Sequence, residues 1–399
     1  MFSSGIPFIN RGKTTRTSVS SGPPSEEPLK DYTQGGYHPV SLGDIFQDRY
    51  KVVRKLGWGG YSTVWSDRHV AVKILTAEAS ASRKLHELQF LQHIRDHNRG
   101  HRGYSRVVQL LDNFHHAGPH GSHLCIVSEV LGESVQWLCT KYEQNILPVP
   151  IIKQITRQVL WGLDYLHSCN IIHTDLKADN FLLEIDDVEA MIRQEQSQHP
   201  PRTYPPVSID GGPSITYVES QPLPIGDENY LRNLREVKVK ISDLGVACWA
   251  DKVSEHIADL IQSPALRAPE VEIGAGWDKS CDTWSMGCNV YQMLVGRTLF
   301  PLDIGRPSHV AIMIVVFGDF PLDLIKRGKY SDEFFKDGKF IVDIQERSPL
   351  PDKMKWIYQA ALDDTEIDQM NSFLGAMLKL EPRERASPAE LAEHKWLQA

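Results

Sequence analysis

Apolar and polar positions in the first third of the chain follow the two-residue period of β-strands. Residues 49 to 65, RYKVVRKLGWGGYSTVW, place β-branched and aromatic side chains on both sides of a glycine-rich turn, which predicts a β-hairpin. Residues 68 to 75, RHVAVKIL, predict a third strand after an unusually short turn. Residues 123 to 131, HLCIVSEVL, predict a further buried strand. We therefore expect a β-rich lobe in the N-terminal third.

Helical periods begin inside this region and dominate the chain after it. Residues 83 to 96, RKLHELQFLQHIRD, place Glu87, Leu91 and Ile94 on one face of an amphipathic helix, where Glu87 suits an ion pair with a strand lysine. Apolar residues at 152, 155, 159, 163 and 166 predict a second helix, which leads into the polar segment HTDLKADN. The remainder has helix-length apolar periods and predicts an α-helical lobe.

Two segments depart from these periods. Residues 1 to 40 are expected to form a disordered tail. For residues 1 to about 25 a disordered tail is favoured over a mitochondrial transit peptide, because no amphipathic helix period is visible. Residues from about 185 to 236 carry Pro-Pro pairs and an excess of acids, and they predict an irregular acidic insert whose default role is a flexible spacer. The predicted organisation is a tail (1–40), a β-rich lobe with a hinge (41–132) and an α-helical lobe that includes the insert (133–399).

Composition narrows the class of protein. With 399 residues and 41% hydrophobic content, the chain is long enough for two lobes with their own cores. A net charge of -8 argues against direct nucleic-acid binding. The six cysteines form no CxxC pair, so we expect reduced thiols that fill core space, none of them a metal ligand. The histidines in residues 115 to 123 are interpreted as a solvated loop rather than a metal site.

No apolar run reaches membrane-spanning length, and the first residues lack the apolar region of a secretory signal. We expect a monomer with no membrane partner, located in the cytoplasm, with the nucleus as a second compartment.

The segment HTDLKADN, residues 173 to 180, carries the strongest chemical signal. Asp175 can accept the proton of an attacking hydroxyl, Lys177 can neutralise charge on a moving phosphoryl group, and Asn180 can hold a metal ion. This spacing of Asp, Lys and Asn is the one that phosphoryl transfer requires.

Other motifs complete this chemistry. The glycine-rich turn permits the backbone to approach the phosphates of ATP, although Ser62 stands where the third glycine of the GxGxxG pattern is expected. Lys73 in VAVK suits the α- and β-phosphates and a pair with Glu87, and Asp243 in DLG supplies a second oxygen ligand for Mg²⁺. The expected nucleotide-binding positions of the turn are Leu56, Gly57, Trp58, Gly59 and Gly60.

These motifs resemble those of the eukaryotic protein kinases and, more narrowly, of the serine/arginine-rich protein kinase branch, from about Asp31 to the C-terminus. The narrower resemblance is carried by GGYHPV (35–40), RKLGWGGYSTVW (54–65), EVLG (129–132), HTDLK (173–177), DLGVACW (243–249) and GKYSDEFF (328–335). It implies an α+β bilobal kinase fold with a β-rich N-lobe and an α-helical C-lobe. It also implies transfer of the γ-phosphoryl group of ATP, with Mg²⁺, to Ser or alternatively Thr of a protein substrate, with Arg/Ser-rich proteins as the suggested class.

The resemblance also implies roles for individual residues. Asp175 would be the catalytic base, Lys177 would steady the γ-phosphoryl group, and Asn180 with Asp243 would hold the metals. Glu129 and Leu131 would offer backbone hydrogen bonds to adenine. The expected lining of the adenine site is Val64, Ala71, Leu182 and, at the gatekeeper position where this branch commonly has Phe, Ser128.

Several positions depart from the pattern of the branch. Thr174 replaces the arginine that binds activation-loop phosphate in many kinases, which predicts activity without loop phosphorylation. Ser308 and Val315 stand where acidic docking residues are expected, so binding of Arg/Ser repeats is expected to be weakened. Pro264 begins a triplet that replaces the usual Arg-Gln-Tyr. Two alternatives stay open: a Pro-directed kinase of a related branch, and a nucleotide-binding pseudokinase.

Overall fold

The structure is a computed structural model, and it describes residues 26–67, 69–208, 214–252, 258 and 260–398. The architecture is α+β, as predicted, with a β-rich N-lobe followed by a helical C-lobe. The N-lobe elements are β1 (Ile45–Phe46), β2 (Tyr50–Lys51), β3 (Arg54–Gly59), β4 (Ser62–Ser66), β5 (Val70–Leu75), α1 (Ala77–Ala81), α2 (Glu87–His97), β6 (Leu110–Gly118) and β7 (Gly121–Glu129).

The C-lobe begins after the hinge that follows β7. Its helices are α3 (Val135–Cys139), α4 (Val149–Ser168), α5 (Val188–Gln198), α6 (Glu228–Arg232), α7 (Pro269–Ile273), α8 (Ser280–Val295), α9 (Arg306–Phe317), α10 (Leu322–Arg327), α11 (Leu350–Tyr358), α12 (Asp364–Met377), α13 (Pro388–Ala392) and α14 (Lys395–Gln398). Its short strands are β8 (Ile171–Ile172), β9 (Phe181–Leu183), β10 (Val207–Ser208), β11 (Ser214–Ile215), β12 (Val239–Ile241), β13 (Cys248–Trp249), β14 (Phe335–Lys336) and β15 (Lys339–Phe340).

The N-lobe sheet has five antiparallel strands in the order β3-β4-β5-β7-β6. Its register sets Lys73 of β5 opposite Val64 of β4 and Ile126 of β7, and it sets Ala71 opposite Ser128. Because side chains two residues apart on a strand share a face, Ala71 and Lys73 lie on the same side of β5. The sheet thus aligns the expected adenine wall with the expected phosphate-binding lysine.

Helix α8 forms the centre of the C-lobe. Nearly all of its residues are buried, including Trp284 and Asp282, as is typical of a helix surrounded by other elements. It ends at Gly296, whose φ is +72°. A Cβ at this position would lie 1.9 Å from the carbonyl oxygen of Gln144, so the left-handed cap and the close approach both require glycine. No helix in the described part of the chain has the length and apolar character needed to cross a membrane.

Part of the expected tail is folded, and the predicted boundary at residue 40 is wrong for the described residues. Tyr32 and Tyr37 are buried and pack with Leu29 against Ile215 and Tyr217 of the insert. The ring centroids of Tyr32 and Tyr217 are 5.8 Å apart in an edge-to-face arrangement. The tail and the insert therefore stabilise each other through aromatic contacts. The expectation for residues 1 to 25 lies outside the described residues.

Buried charges attach both segments to β3. The ammonium of Lys55, which is 0% exposed, lies 2.7 Å from Glu26 and also bonds to the carboxylate of Glu27. Ser220 of the insert donates its backbone N–H and its hydroxyl to Glu26, each at 2.8 Å. The hydroxyl of Tyr32 donates to Glu27. One buried cation thus holds the N-terminal segment and the insert together.

A neighbouring cation adds to this attachment. The buried guanidinium of Arg54 donates to the carbonyl oxygens of His199 at 2.7 Å and Gln221 at 3.3 Å. The insert also contains α5, β10, β11 and α6 and buries Leu223 completely. In its described residues the insert is therefore a folded element rather than the flexible spacer expected from its composition.

We expect Lys55→Met to lower the free energy of unfolding by about 3–5 kcal/mol, because two buried carboxylates would lose their cation. Urea unfolding of the purified protein measures the loss. Lys51→Met, which changes an exposed lysine of β2, is the control and should stay within about 0.5 kcal/mol of the unsubstituted protein. Equal effects of the two substitutions would contradict the account of the buried cluster.

A buried histidine predicts instability in acid. His38 packs against the rings of His116 and His123, with centroid distances of 4.6 and 5.1 Å, and burial lowers its pKa to about 3. The unfolded state binds a proton near pH 6.5, so the contribution of His38 is present above that pH and declines as pH falls towards 3, by up to about 1.4 kcal/mol per unit. Urea unfolding between pH 7 and 5 should show a shallower decline for His38→Leu. Identical slopes for the two proteins would refute this origin of the acid sensitivity.

Candidate active site

A buried carboxylate positions the segment HTDLKADN, residues 173–180, which follows helix α4 and is called the catalytic loop below. Asp282 of α8 accepts the backbone N–H of His173 at 2.9 Å and that of Thr174 at 3.0 Å, and it lies 3.0 Å from the imidazole of His167. Asp282 is 0% exposed, so these donors replace the water that a buried carboxylate loses. The loop is therefore tied to the central helix of the C-lobe.

The loop brings together the three residues that its spacing predicts. One carboxylate oxygen of Asp175 lies 2.6 Å from the ammonium of Lys177, and the side-chain amide of Asn180 donates to the backbone carbonyl of Asp175 at 2.9 Å. Burial alone would lower the pKa of Lys177, but the Asp175 carboxylate outweighs burial and the net change is upward. Lys177 is therefore a cation at neutral pH, next to a carboxylate that is only partly exposed.

Sequence reasoning missed Ser263. Its hydroxyl donates to the second carboxylate oxygen of Asp175 at 2.9 Å, although 88 residues separate the two positions. This bond and the ion pair with Lys177 fix both oxygens of the carboxylate. The available signal was a hydroxyl residue four positions before Arg267 in the RAPE segment.

The predicted pair of Lys73 and Glu87 is present, with 2.7 Å between the ammonium and the carboxylate. The same ammonium lies 2.9 Å from Asp243, so strand β5, helix α2 and the DLG segment meet at one cation. Lys73 lowers the pKa of Asp243 to about 2, which leaves Asp243 ionised and able to offer oxygen ligands. Burial raises the pKa of Glu87, and Lys73 opposes that rise.

These groups face one cleft of about 500 Å³ below the glycine-rich turn. The turn is anchored by the N-terminal segment, because the hydroxyl of Tyr37 donates to the carbonyl oxygen of Gly59 at 2.8 Å. An added Cβ would meet nothing within 4 Å at Gly57, Gly59 or Gly60, so the turn borders open space. The predicted residues that line the cleft are Trp58, Gly59, Gly60, Lys73, Glu87, Asp175, Lys177, Asn180 and Asp243.

The expected adenine side is an apolar cluster next to the hinge. Leu56, Val64 and Ala71 pack in it with Val130, and the insert contributes Ile192 and Leu223, which sequence reasoning did not place there. Among the other predicted positions, Leu131 is buried. Leu182 lies on β9 outside this cluster, where its backbone forms an isolated antiparallel β-bridge with Ser134. Glu129 uses its carboxylate in an ion pair with Lys240 at 2.6 Å, which leaves only its backbone for adenine.

Thr174 has a backbone conformation that threonine rarely adopts, with φ of +66°. Its hydroxyl donates to the carbonyl oxygen of Val246 at 2.7 Å, and its side chain is buried. These bonds offset a backbone cost on the order of 1–3 kcal/mol. The side chain is therefore used to attach the catalytic loop to the segment after Asp243, and it presents no cation to a phosphate.

A buried ion pair joins helix α7 to the C-terminal part of the chain. Arg385 binds Glu270 through two parallel bonds of 2.7 Å, and both side chains are 0% exposed. Glu272, two residues further along α7, binds the guanidinium of Arg306 at 3.0 Å. Both contacts join α7 to distant parts of the C-lobe, as a structural rather than a chemical role requires.

The position of Ser128 predicts an inhibitor effect. Ser128 lies on β7, is half-buried and has a small side chain. We expect Ser128→Phe to raise the inhibition constant of ATP-competitive compounds that carry a bulky group towards this residue, because the added ring would fill that space. Inhibition assays with a matched compound that lacks the bulky group provide the control. An unchanged ratio of the two inhibition constants would count against this assignment.

Comparison with known proteins agrees with this geometry. The protein kinase domain family matches residues 50–193 and 225–397, and the gap between the two matches falls inside the insert. A serine/threonine-protein kinase SRPK of Physarum polycephalum is 34% identical, covering 93% of this chain and 91% of that protein. Protein kinase dsk1 of Schizosaccharomyces pombe is 30% identical, covering 98% and 88%. SRSF protein kinase 3 of Homo sapiens is 29% identical, covering 95% and 91%.

A solved structure supports the same fold. The crystal structure of a kinase domain superposes with a TM-score of 0.64 at 23% identity, covering 90% of this chain and 98% of that chain.

Proposed function

We propose that this chain phosphorylates serine in arginine-rich protein segments. The premise is that the chain belongs to the protein kinase family and, within it, to the serine/arginine-rich protein kinase branch. Protein serine/threonine kinase activity with ATP follows from that membership. The acceptor sequence, the metal and the mode of regulation are the parts that we propose.

One observation carries the catalytic part of the proposal. Asp175, held by Lys177 and Ser263, lines the same cleft as the Lys73 and Asp243 pair. A hydroxyl that enters this cleft can give its proton to the Asp175 carboxylate while Lys177 neutralises negative charge nearby. Ser263 keeps the carboxylate oriented towards the entering hydroxyl.

The donors in the cleft fit a nucleotide with Mg²⁺. The Asp243 carboxylate and the Asn180 side-chain oxygen are the hard oxygen ligands that Mg²⁺ prefers, and Lys73 stands beside them to meet phosphate oxygens. When bound, the ion would neutralise charge on the phosphates. The protein supplies the position of the acceptor hydroxyl, the proton acceptor and the fixed cations.

Two features bear on the acceptor sequence. The related Physarum and human proteins are named as SRPK and SRSF protein kinases, and the net charge of -8 favours a basic substrate weakly. Ser308 is exposed on α9, whereas Val315 packs against the core. Since neither side chain is acidic, neither supplies a docking carboxylate. Arginine-rich segments therefore bind with fewer charge-assisted contacts than a fully acidic helix would give.

The proposal includes activity without phosphorylation of the activation segment. Thr174 stands where many kinases have the arginine that binds activation-loop phosphate, and its side chain is buried and bonded to Val246. This site therefore offers no cation to such a phosphate. Phosphatase-treated protein should keep the activity of untreated protein. Loss of activity on this treatment, together with a phosphate found by mass spectrometry in the activation segment, would refute this part.

A peptide array tests the acceptor sequence. Arg-Ser repeats, Ser-Pro peptides and sequence-scrambled controls with equal serine content would be incubated with purified protein and radiolabelled ATP. We expect the strongest labelling of Arg-Ser repeats, on serine. Preferential labelling of Ser-Pro peptides would replace the proposal with a Pro-directed activity of a related kinase branch.

A further inference from the structure

Two histidines and a cysteine meet behind the catalytic cleft, where the N-lobe helix α2 contacts the C-lobe. His93 and His97 lie one turn apart on α2, and Cys169 is the C-terminal cap of α4. The potential ligand atoms of the three side chains all lie within 4.8 Å of one another. Three donors from two helices in different lobes thus converge on one point.

The donor atoms have the chemistry of a zinc site. Imidazole nitrogen and thiolate sulfur suit Zn²⁺, whereas Mg²⁺ and Ca²⁺ require oxygen ligands. Zinc bonds of about 2.0 Å to nitrogen and about 2.3 Å to sulfur place tetrahedral ligands roughly 3.5 Å apart. Small side-chain rotations would bring the three atoms to that separation, with a fourth position left for water.

The surroundings leave the donors available. The rings of His93 and His97 are 5.1 Å apart between centroids, and no residue in the described part of the chain forms a hydrogen bond with either side chain. The ring of Trp249 lies 5.2 Å from that of His93 at nearly a right angle and orients it. Cys169 is 1% exposed, and burial raises the pKa of its thiol.

The backbone around the cluster is already joined. The hydroxyl of Tyr165 on α4 donates to the carbonyl oxygen of Ile94 on α2 at 2.5 Å, and it accepts the N–H of Asn98 at 3.4 Å. The last turn of α2 is therefore held against α4 without a metal. An ion would find the two helices in place and would need only side-chain movement.

We propose that His93, His97 and Cys169 form a zinc-binding site that links helix α2 to the end of helix α4. The thiol proton of Cys169 leaves to solvent when the thiolate binds the ion, and both histidines bind as neutral imidazoles. Because α2 also carries Glu87, the partner of Lys73, the ion stabilises the helix that completes the catalytic cleft. This assigns a ligand role to Cys169, whereas sequence analysis interpreted every cysteine as a core residue.

Cobalt provides a spectroscopic test, because Co²⁺ occupies zinc sites and gives an absorption band when a thiolate binds it. The purified full-length protein would be treated with chelator, dialysed and titrated with Co²⁺ and then with Zn²⁺. The variants are Cys169→Ser, which removes the thiolate, and His97→Gln, which changes an exposed side chain. His115→Gln, at an exposed histidine of β6, is the matched control. Circular dichroism verifies that each variant is folded.

The unsubstituted protein should show a thiolate-to-cobalt band and the visible bands of tetrahedral Co²⁺, which Zn²⁺ abolishes. Cys169→Ser should lose the thiolate band. His97→Gln should bind more than about tenfold more weakly, since loss of a direct ligand costs at least as much as loss of a supporting hydrogen bond. His115→Gln should match the unsubstituted protein. Absence of the thiolate band, or equal affinity of the protein and His97→Gln, would overturn the proposal.

Hydrogen exchange gives a second measurement that does not depend on kinase activity. Zn²⁺ should slow exchange in α2 of the unsubstituted protein and leave α2 of His97→Gln unchanged. Equal exchange of α2 with and without Zn²⁺ in the unsubstituted protein would refute the proposed link between the helices.

Discussion

Asp175→Asn should lower kcat for peptide phosphorylation by about 10²–10⁴-fold, the usual contribution of a positioned general base. The amide keeps the size of the carboxylate but cannot accept the proton of the acceptor hydroxyl. It also weakens two contacts of the site, because Lys177 and Ser263 both bind the charged oxygens of Asp175. Initial rates with radiolabelled ATP and a saturating peptide would measure the loss.

Asp179→Asn is the matched control for this substitution. It makes the same chemical change in the same loop, at an exposed side chain four residues away. We expect its kcat to remain within about threefold of the unsubstituted protein, because a surface charge interacts weakly through water. Similar losses for Asp179→Asn and Asp175→Asn would show that the loop responds to charge in general and that Asp175 has no special role.

Lys73→Met should lower kcat/KM by about 10²–10³-fold, equivalent to ~3–4 kcal/mol of lost transition-state stabilisation. The substitution removes the cation that faces the phosphates and leaves Glu87 buried without a partner. It also removes the main cause of the low pKa of Asp243, which should rise from about 2 towards that of an ordinary carboxyl. Asp243 stays ionised at neutral pH, so activity falls because the phosphates lose their cation and because Glu87 of α2 loses its ion pair with β5.

Lys84→Met provides the comparison, since Lys84 is exposed and lies just before helix α2. Its kcat/KM should be nearly unchanged. Isothermal titration measures the loss of the phosphate contact separately from any loss of stability. Lys73→Met should weaken ATP binding in Mg²⁺, whereas the thermal stability of the protein should fall only moderately. Retention of more than half of the activity by Lys73→Met would contradict the assigned role.

The motifs near the cleft could be predicted because each depends on a short stretch of sequence. The helical period put Glu87 on the inner face of α2, and the structure places it 2.7 Å from Lys73. The spacing of HTDLKADN likewise predicted that Asp175, Lys177 and Asn180 share one loop. Helical periodicity predicted the face that Glu87 occupies, and motif spacing predicted the residues that share the loop.

Contacts across long stretches of sequence could not be predicted. Tyr32 packs on Tyr217, and Glu26 binds Ser220 from 194 residues away, yet both segments have the polar, Pro-rich composition of loops. Their order comes from burial of three aromatic rings and from Lys55, which no local pattern reveals. Ser263 escaped notice for the same reason, because only the folded chain brings it to Asp175.

The role of Thr174 could be predicted only in part from the sequence. The sequence predicted the loss of a phosphate-binding arginine, and that prediction needs only the motif. It did not predict that the threonine hydroxyl would bond to Val246 or that its backbone would have φ of +66°. These details depend on how the catalytic loop meets the segment after Asp243.

Single-turnover transfer from radiolabelled ATP by the purified, phosphatase-treated protein tests the central claim most directly. With Mg²⁺ and an Arg-Ser peptide, the account predicts phosphoserine formation that depends on Asp175 and needs no activating kinase. A signal as low as that of Asp175→Asn, from protein that is folded and binds ATP, would contradict the account and would identify the chain as a nucleotide-binding scaffold.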